Sequence, residues 1–521
     1  MKIQFLSPRE AVNMIPNGAC IATGGFCTVG VPEEIETAME EKYLQDGSPN
    51  NLTLYYAAGQ GSGKDGGVNH LAHDGMVKRV VGGHWNLAPA LQKMAMEDKI
   101  EAYNLPQGVI SHMFRDAASG KELTISRVGL DTFVDPDLEG GKLNARTTEE
   151  IVKKTVLEGK EYLIYTPPKL DVAILRGTYA DENGNVTLEE EGATLEATSI
   201  ALAAKNNGGI VIVQVKDIVQ AGSLDPRLVK LSSAMVDVIV KTTDVEKYHQ
   251  QTFGTTFLPW FSGQKRAVLK ETEALEMSNR KIIGRRCAMM MRQDMIVNLG
   301  IGMPEAVATV LNEEGHGNSM MLTVESGPQG GVPAAGSLFG QSYNPDIILD
   351  QDRQFDFYDG GGLDITILGL AQCDKKGNIN VSKFGPRIAG CGGFINISQN
   401  THTVVFCGTF TAGGLKEAVR DGKLVILQEG KTKKFVKEIE QITFSSVYAE
   451  KENQDVTYIT ERCVFKLEQG RLVLTEIAPG IDLKRDILDQ MEFEPMMKDL
   501  KLMDERIFRE KKMNLVLQGE G

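Results

Sequence analysis

Residues 171–185, DVAILRGTYADENGN, return as residues 364–378, DITILGLAQCDKKGN, at a constant offset of 193. In each copy an aspartate opens an apolar, β-branched run, and an Asp-x-x-Gly-Asn sequence closes it. A continuous apolar run bounded by turn residues is the pattern of a strand covered on both faces. Two further echoes keep the same order. Gly30-Val31-Pro32-Glu33 becomes Gly302-Met303-Pro304-Glu305, each after a short apolar run and a glycine turn, and Pro106-Gln107-Gly108 becomes Pro328-Gln329-Gly330. Three matches in one order along two halves indicate internal duplication.

The elements around these repeats alternate. Ser7-Pro8 opens a short helix ending near Pro16, and residues 19–23 form a strand running into Gly24-Gly25-Phe26. Pro32 begins a second helix. Strands follow over 52–58, 77–81, 102–105, 170–176 and 209–215, with helices over 90–96 and 197–205. Residues 115–169 are polar with little periodicity and are expected to form a substrate-side elaboration. The pattern breaks between 242 and 278, then restarts with a helix from Asn279 through Arg292, a strand over 295–299 and the turn Gly300-Ile301-Gly302. The expected organisation is an α/β protein of two homologous, open, mainly parallel α/β domains, 1–250 and 279–521, joined by a linker over 251–278. Beyond Lys484 a charged, Met-rich segment with helical spacing is expected to pack across both domains.

Composition narrows the chemistry. The chain has 521 residues, 42% hydrophobic and 24% charged, with a formal net charge of −14. That balance argues against a nucleic-acid surface, which needs clustered Lys and Arg to neutralise phosphates. No run approaches the roughly 18 apolar residues of a membrane helix. The start, MKIQFLSPREAV, reaches Pro8, Arg9 and Glu10 before a signal-like apolar core forms, so a cytoplasmic location is expected. The seven cysteines are scattered and lack a C-x-x-C pair, and His70 with His73 is the only close histidine pair; no metal is expected.

The loop at 59–67, GQGSGKDGG, contains a formal G-x-G-x-x-G at Gly61, Gly63 and Gly66. As a dinucleotide turn it fails, because the next strand ends in Gly82-Gly83-His84 where a ribose-binding acid belongs. As a Walker loop it fails as well, since Asp65 follows Lys64. A flexible loop near a ligand is the remaining reading.

The acidic residue that stands out is Glu325, in LTVESGPQGGV at 322–332, where a buried-strand pattern runs into a carboxylate and then into Gly327, Gly330 and Gly331. Ligands of open α/β sheets bind at the carboxyl ends of the strands. A single Glu beside glycines is ordinarily a solvated surface charge. Three glycine loops in the second half, Gly300 to Met303, Ser326 to Gly331 and Gly390 to Phe394, would converge if their strands are parallel, and backbone N–H groups converging on one place are what acyl chemistry requires.

GMPEAV at 302–307, VESGPQGG at 324–331, DGGGLD at 359–364 and GCGGF at 390–394 resemble the family I coenzyme A transferases. The resemblance is closest to the single-chain propionate and acetate CoA-transferase branch, in which α-like and β-like halves are fused. The ketoacid branch carries E-N-G where this chain has Glu325-Ser326-Gly327, which moves the implied substrate away from ketoacids. The resemblance implies CoA transfer between short-chain carboxylic acids through a glutamyl-CoA thioester on Glu325, with acyl-CoA as substrate and no permanently bound cofactor. It places Gly302, Met303, Gly392 and Gly393 as oxyanion donors and Gly300, Ile301, Gln107, Gly25, Phe26 and Gly390 around the substrate or CoA. A homo-oligomer, dimer or tetramer, is implied too. An acyl-CoA hydrolase on the same fold, and a non-catalytic or isomerase-like α/β protein, are the alternatives.

Overall fold

Asp171 and Asp364 begin equivalent strands by the same hydrogen bonds. The Cys20 N–H donates to Asp171 Oδ2 at 2.8 Å, and the Ile296 N–H donates to Asp364 Oδ2 at 2.8 Å. At the far ends the turns also match: Asp181 Oδ1 accepts from the N–H groups of Asn183 and Asn185, and Asp374 Oδ1 from those of Lys376 and Asn378. An aspartate folding the backbone onto its own carboxylate is the physical reason for the conserved spacing within each copy. These features come from a computed structural model that describes residues 3–269, 274–517 and 519. Residues 270–273 of the expected linker lie outside the described residues.

Packing divides the chain differently from the repeat. One compact unit comprises Met1–Ala267, Val324–Phe357 and Phe384–Asn396, and the other Val268–Thr323, Tyr358–Lys383 and Ile397–Gly521.

In the first unit the strands run in the order Gln4–Phe5, Val238–Lys241, Ile210–Val219, Val172–Asp181, Cys20–Thr23, Leu52–Tyr56, Val77–Gly82, Glu101–Asn104. Every neighbouring pair in that order is parallel. In the second unit Met321–Thr323, Ile296–Leu299, Ile365–Gly369, Thr403–Cys407 and Asp455–Ile459 are parallel. Cys463–Glu468 and Arg471–Ile477 continue that sheet antiparallel, and Met496–Leu502 pairs parallel with Arg471–Ile477. Cys20–Thr23 and Ile296–Leu299 hold the same place. Each has the next strand in sequence on one side and the later ones on the other, and is therefore the switch point at which a doubly wound sheet opens a crevice. The duplicated, mainly parallel α/β fold is present. Ile21, Leu54, Val80, Ala102, Val172 and Ile212 are wholly buried in one core of the first unit, each stabilising the fold by about 1.5–3 kcal/mol if aliphatic and large. Among the described residues no helix is long and apolar enough to cross a membrane.

Several expectations need correction. Pro106-Gln107-Gly108 and Pro328-Gln329-Gly330 are not equivalent, because Gln107 begins the helix Gln107–Ala118 whereas Pro328–Gln329 pairs antiparallel with Ile347–Ile348. The stretch read as featureless contains Thr124–Ser126, Val152–Leu157 and Lys160–Tyr165 in an antiparallel sheet. Its hairpin turns at Glu158 and Gly159, both at positive φ (49° and 77°), a two-residue turn whose first residue is not the usual Asn or Asp. The terminal segment is not a helical arm. It forms the strand Met496–Leu502, and the chain beyond is held inside the second unit by Arg285, whose guanidinium donates to the carbonyls of Ile507 and Lys511 at 3.1 and 3.0 Å. Glu314 adds to this by accepting from the N–H groups of Met513 and Leu515.

The segment beginning at Val324 is held in the first unit by buried polar contacts. Ser111 Oγ donates to Glu196 Oε1 at 2.8 Å, Gln351 Nε2 donates to Ser111 Oγ at 3.0 Å and to Glu196 Oε1, and Ser199 Oγ donates to Asp352 Oδ2 at 2.9 Å. Burial, aided by the Asp352 and Asp350 charges, pushes the Glu196 carboxyl up from 4.5 to about 8. Below pH 4.5 both folded and unfolded chains carry this proton. Between 4.5 and about 8 the unfolded chain releases it while the folded carboxyl keeps it, so stability falls across that window and levels off above it. Glu196→Gln keeps the acceptor and removes the ionisation. Its melting temperature, measured from pH 5 to pH 9, should gain on the unsubstituted protein as pH rises; a gap independent of pH would show that Glu196 is ionised in the folded state.

Candidate functional site

The carboxyl edge of the first unit's sheet is a row of small-residue loops. Gly24 begins the loop after the central strand, and its N–H donates to Ile174 O at 3.0 Å. Phe26 and Val29 then exchange backbone hydrogen bonds at 2.9 and 2.8 Å, which forces Cys27 to φ 53° at the tip. Gln60, from the loop after Leu52–Tyr56, fixes this tip from below. Its Nε2 donates to Thr23 O at 2.7 Å and its Oε1 accepts from Thr23 Oγ1 at 2.5 Å. A Cβ on Gly25 would lie 2.9 Å from Gln60 Cδ, so this amide can sit there only against a glycine.

The loop carrying Glu325 settles on that tip. Val324 packs with Phe26, Val29, Ala58, Ala193, Leu195 and Phe339, and the rings of Phe26 and Phe339 lie 5.6 Å apart. The Val324 N–H donates to Pro328 O at 2.9 Å, the Gly327 N–H to Val324 O at 3.0 Å and Ser326 Oγ to Gly340 O at 2.6 Å. Glu325 therefore stands half-buried on a tight turn whose neighbours on both sides are buried. Burial first, and then the Glu325 charge, push the Cys27 thiol far above its ordinary range.

A second insertion, Gly390 to Phe394, meets the same edge through its backbone. Trp85 and Asn86 donate their N–H groups to Ala389 O at 2.8 and 3.1 Å, the Gly392 N–H donates to Gly83 O at 2.7 Å, and the Gln107 N–H to Gly392 O at 2.9 Å. Asn104 Oδ1 accepts from the Cys391 N–H at 2.9 Å while its Nδ2 donates to the carbonyls of Gly82 and Gly83. Gly390 has φ 80°, and a Cβ there would fall 2.9 Å from His84 Cα. Gly108, early in the next helix, would put a Cβ 2.4 Å from the Phe355 ring, and its N–H donates to Asn396 Oδ1. These are contacts that only bare backbone permits.

The structure thus brings Gly25, Phe26, Gln107, Glu325, Gly390, Gly392 and Gly393 into one unit. Gly300, Ile301, Gly302 and Met303 belong to the other, where they follow its central strand: the Gly300 N–H donates to Ile367 O at 2.9 Å, Ile301 is exposed, Gly302 has φ 87°, and Met303 O accepts from Ala306 at the head of helix Glu305–Glu314. Gly392 is a correction, since its N–H is already bonded to Gly83 O and orients the turn instead of facing an oxyanion. Sequence reasoning missed Cys27, Gln60, His84 and Asn104, although His84 follows a glycine pair and Asn104 ends a strand. In the rejected glycine loop, Ser62 Oγ accepts from the N–H groups of Lys64, Asp65 and Gly66, and Glu33 from Gly67, so the donors a phosphate would use are taken internally.

Gln107 is 2% exposed, and its Nε2 is buried with no hydrogen-bond partner among the described residues. Its Oε1 lies 3.7 Å from where a Gly392 Cβ would be. A buried amide nitrogen left without an acceptor next to the Gly392 turn suits a site that takes an anionic or carbonyl oxygen.

Comparison with known proteins agrees with this geometry. The family model for coenzyme A transferase matches residues 5–242. A caffeate CoA-transferase of Acetobacterium woodii is 45% identical over 98% of this chain and 98% of its own length. The acetate CoA-transferase YdiF of Escherichia coli K12 is 42% identical over 99% of this chain and 97% of its own. The crystal structure of the acyl-CoA transferase YdiF apoenzyme from E. coli O157:H7 superposes with a TM-score of 0.94 at 41% identity, covering 99% and 98% of the two chains, and its thioester complex with CoA gives 0.93.

The glycine contacts can be tested by paired substitutions. Gly390 and Gly222 share a positive φ, 80° and 76°, but a Cβ meets backbone only at Gly390 and open space at Gly222. Gly222→Ala should cost about 1–2 kcal/mol from backbone strain alone. Gly390→Ala should cost more in denaturant unfolding and should also abolish most transfer activity. Equal losses with retained activity would show that the turn does not depend on close approach.

Proposed function

This chain belongs to the coenzyme A transferase family, and we propose that it moves CoA between short-chain monocarboxylic acids, acetate and propionate foremost, through a glutamyl-CoA thioester on Glu325. The observation that carries the proposal is the placement of Glu325 on a hydrogen-bonded turn at the switch-point edge of a parallel sheet, packed through Val324 on the loop at residues 24–26. Supporting it, a 41%-identical relative has been solved as a thioester complex with CoA.

The reaction balances without water, metal or net proton transfer. The Glu325 carboxylate attacks the acyl-CoA carbonyl, a C–O bond forms, and the C–S bond breaks to release CoA thiolate and leave an acyl-glutamyl anhydride. The thiolate attacks the glutamyl carbonyl, forming the enzyme thioester and releasing the donor carboxylate. The acceptor carboxylate then attacks this thioester, and the thiolate it expels takes the acyl group from the new anhydride. One thioester is exchanged for another, so no external energy source is required. Within the Gly390–Phe394 turn the N–H groups of Cys391, Gly392 and Phe394 are bonded to Asn104, Gly83 and Cys391. Of the two that remain, Gly390 and Gly393, Gly393 is the residue proposed to donate to the oxyanion, with Gly302 and Met303 assigned the same role by family resemblance. Gln107 is proposed to hold the carboxylate through its Nε2. To the same reading belong the division into an α-like half 1–250, linker 251–278 and β-like half 279–521, a cytoplasmic location and a homo-oligomer.

Incubation with acetyl-CoA or propionyl-CoA and no acceptor should leave covalent CoA that peptide mapping places on Glu325. Glu325→Gln should lose transfer by more than the roughly 10²–10³ expected for one oxyanion donor, while still binding CoA. An adduct on Cys27 or Cys391, or near-normal activity in the Gln variant, would end the mechanism, and rapid CoA release without an acceptor would identify a hydrolase.

Substrate class is checked by pairing each donor with acetate, propionate, butyrate, caffeate and acetoacetate. Turnover should be highest with the small monocarboxylates. Turnover confined to succinyl-CoA with acetoacetate, or to caffeate, would remove the proposed substrate class and leave the family intact.

A further inference from the structure

His84 takes no part in the transfer steps above. It follows Gly82-Gly83 at the end of a parallel strand, at the same edge as Gln60 and Gln107. Its backbone bridges to Gly390, and Trp85 beside it is bonded to Ala389 O. The imidazole is wedged between two glycines. A Cβ on Gly59 would lie 2.5 Å from His84 Nδ1, and a Cβ on Gly392 would lie 3.9 Å from His84 Cδ2 and 3.7 Å from Gln107 Oε1. The open side of Gly392 is therefore flanked by the Gln107 amide and the His84 ring.

Both side chains hold buried polar atoms without partners among the described residues, Nε2 of Gln107 and Nδ1 of His84. Native structures keep few such atoms, and those they keep are commonly explained by a ligand or a catalytic role. For a neutral imidazole pressed against backbone at Nδ1, the cheaper arrangement leaves a lone pair there, because an orphaned N–H costs more than an under-used acceptor. The proton then resides on Nε2, the nitrogen bonded to the Cδ2 that faces Gly392. Burial, with the Arg387 charge second, lowers the imidazole to about 4, so at working pH it is an uncharged donor.

We propose that His84 Nε2–H is a substrate contact, donating with Gln107 to the oxygens of the monocarboxylic acid as it enters to attack the glutamyl-CoA thioester. The inference rests on the proposed transfer reaction and adds a residue to it. A neutral donor fits this role because it orients the acceptor carboxylate without the strong ion pairing that would quench its nucleophilicity. No bond to His84 forms or breaks, and no proton leaves it.

Three substitutions separate this role from packing. The amide nitrogen of Gln reaches the Nε2 position, that of Asn the Nδ1 position, and Phe fills the space with neither. With glutamyl-CoA preformed on the enzyme, His84→Gln should stay within a few-fold of the unsubstituted protein in acceptor KM. His84→Asn and His84→Phe should lose roughly tenfold to a hundredfold in acceptor kcat/KM, mainly through KM. Formation of the adduct from acyl-CoA should change less, and melting temperatures should stay close. If Phe fails to fold, the Gln and Asn pair carries the comparison. Unchanged acceptor kinetics in Asn or Phe, or a Gln variant as poor as Phe, would overturn the contact while leaving the Glu325 mechanism standing. Absence of any adduct on Glu325 in the unsubstituted protein would overturn both.

Discussion

A parallel strand order sends every strand's carboxyl end to one edge, and that constraint governs both units of this protein. It forces each strand-to-helix connection to turn over the same side of the sheet, and at the central strand it parts the connections to left and right. In the first unit four such connections stand side by side, after Thr23, Tyr56, Gly82 and Asn104. Everything gathered there, Gln60, His84 and Gln107 among them, arrives by topology before any side-chain contact acts.

What the edge then holds depends on missing side chains. Residues 389–392 are seated by backbone hydrogen bonds to residues that local sequence would never pair with them, such as Gly392 to Gly83 and Gln107, whereas 324–341 is seated by the Thr28 and Thr252 hydroxyls donating to Ser337 O and by apolar packing. The backbone bonds require close approach of two main chains, which Gly83 and Gly390 supply where a Cβ would strike backbone at 2.0 and 2.9 Å, while Gly25 and Gly108 make room for the side chains of Gln60 and Phe355. Glycine costs conformational entropy on folding, a loss offset here by buried backbone bonds and by the apolar cluster of Phe26, Val324 and Phe339.

Charge is used sparingly at this edge. The chain is acidic as a whole, yet along this edge stand a thiol held protonated, an imidazole held neutral and carboxamides. Such surroundings would suit the carboxylate nucleophile proposed at Glu325, since a strong cation would tether it and an anionic substrate alike. A buried polar network lies further back, in the Glu196, Ser111 and Gln351 contacts that seat the segment carrying Glu325.

The duplication and the parallel strands were legible in sequence because their causes are local. An apolar run, an aspartate folding its own turn and a Pro-Glu helix start each declare themselves within a few residues, as at Asp181 and Asp374 or at Pro32 and Pro304. Where reading failed, the cause was distant. Gln107 begins a helix despite its glycine neighbour because Asn396 and Phe355 receive that turn, and Met496–Leu502 is a strand because an existing sheet offered it an edge. Gly392 looked like an oxyanion donor until Gly83, more than three hundred residues earlier, was found to take its N–H. Amino-acid type and spacing determine which segments form and which groups could react. Which donors remain open to a substrate, and which distant segments share a unit, is decided only when the folded backbone commits its hydrogen bonds, because each N–H satisfied in one contact is withdrawn from every other.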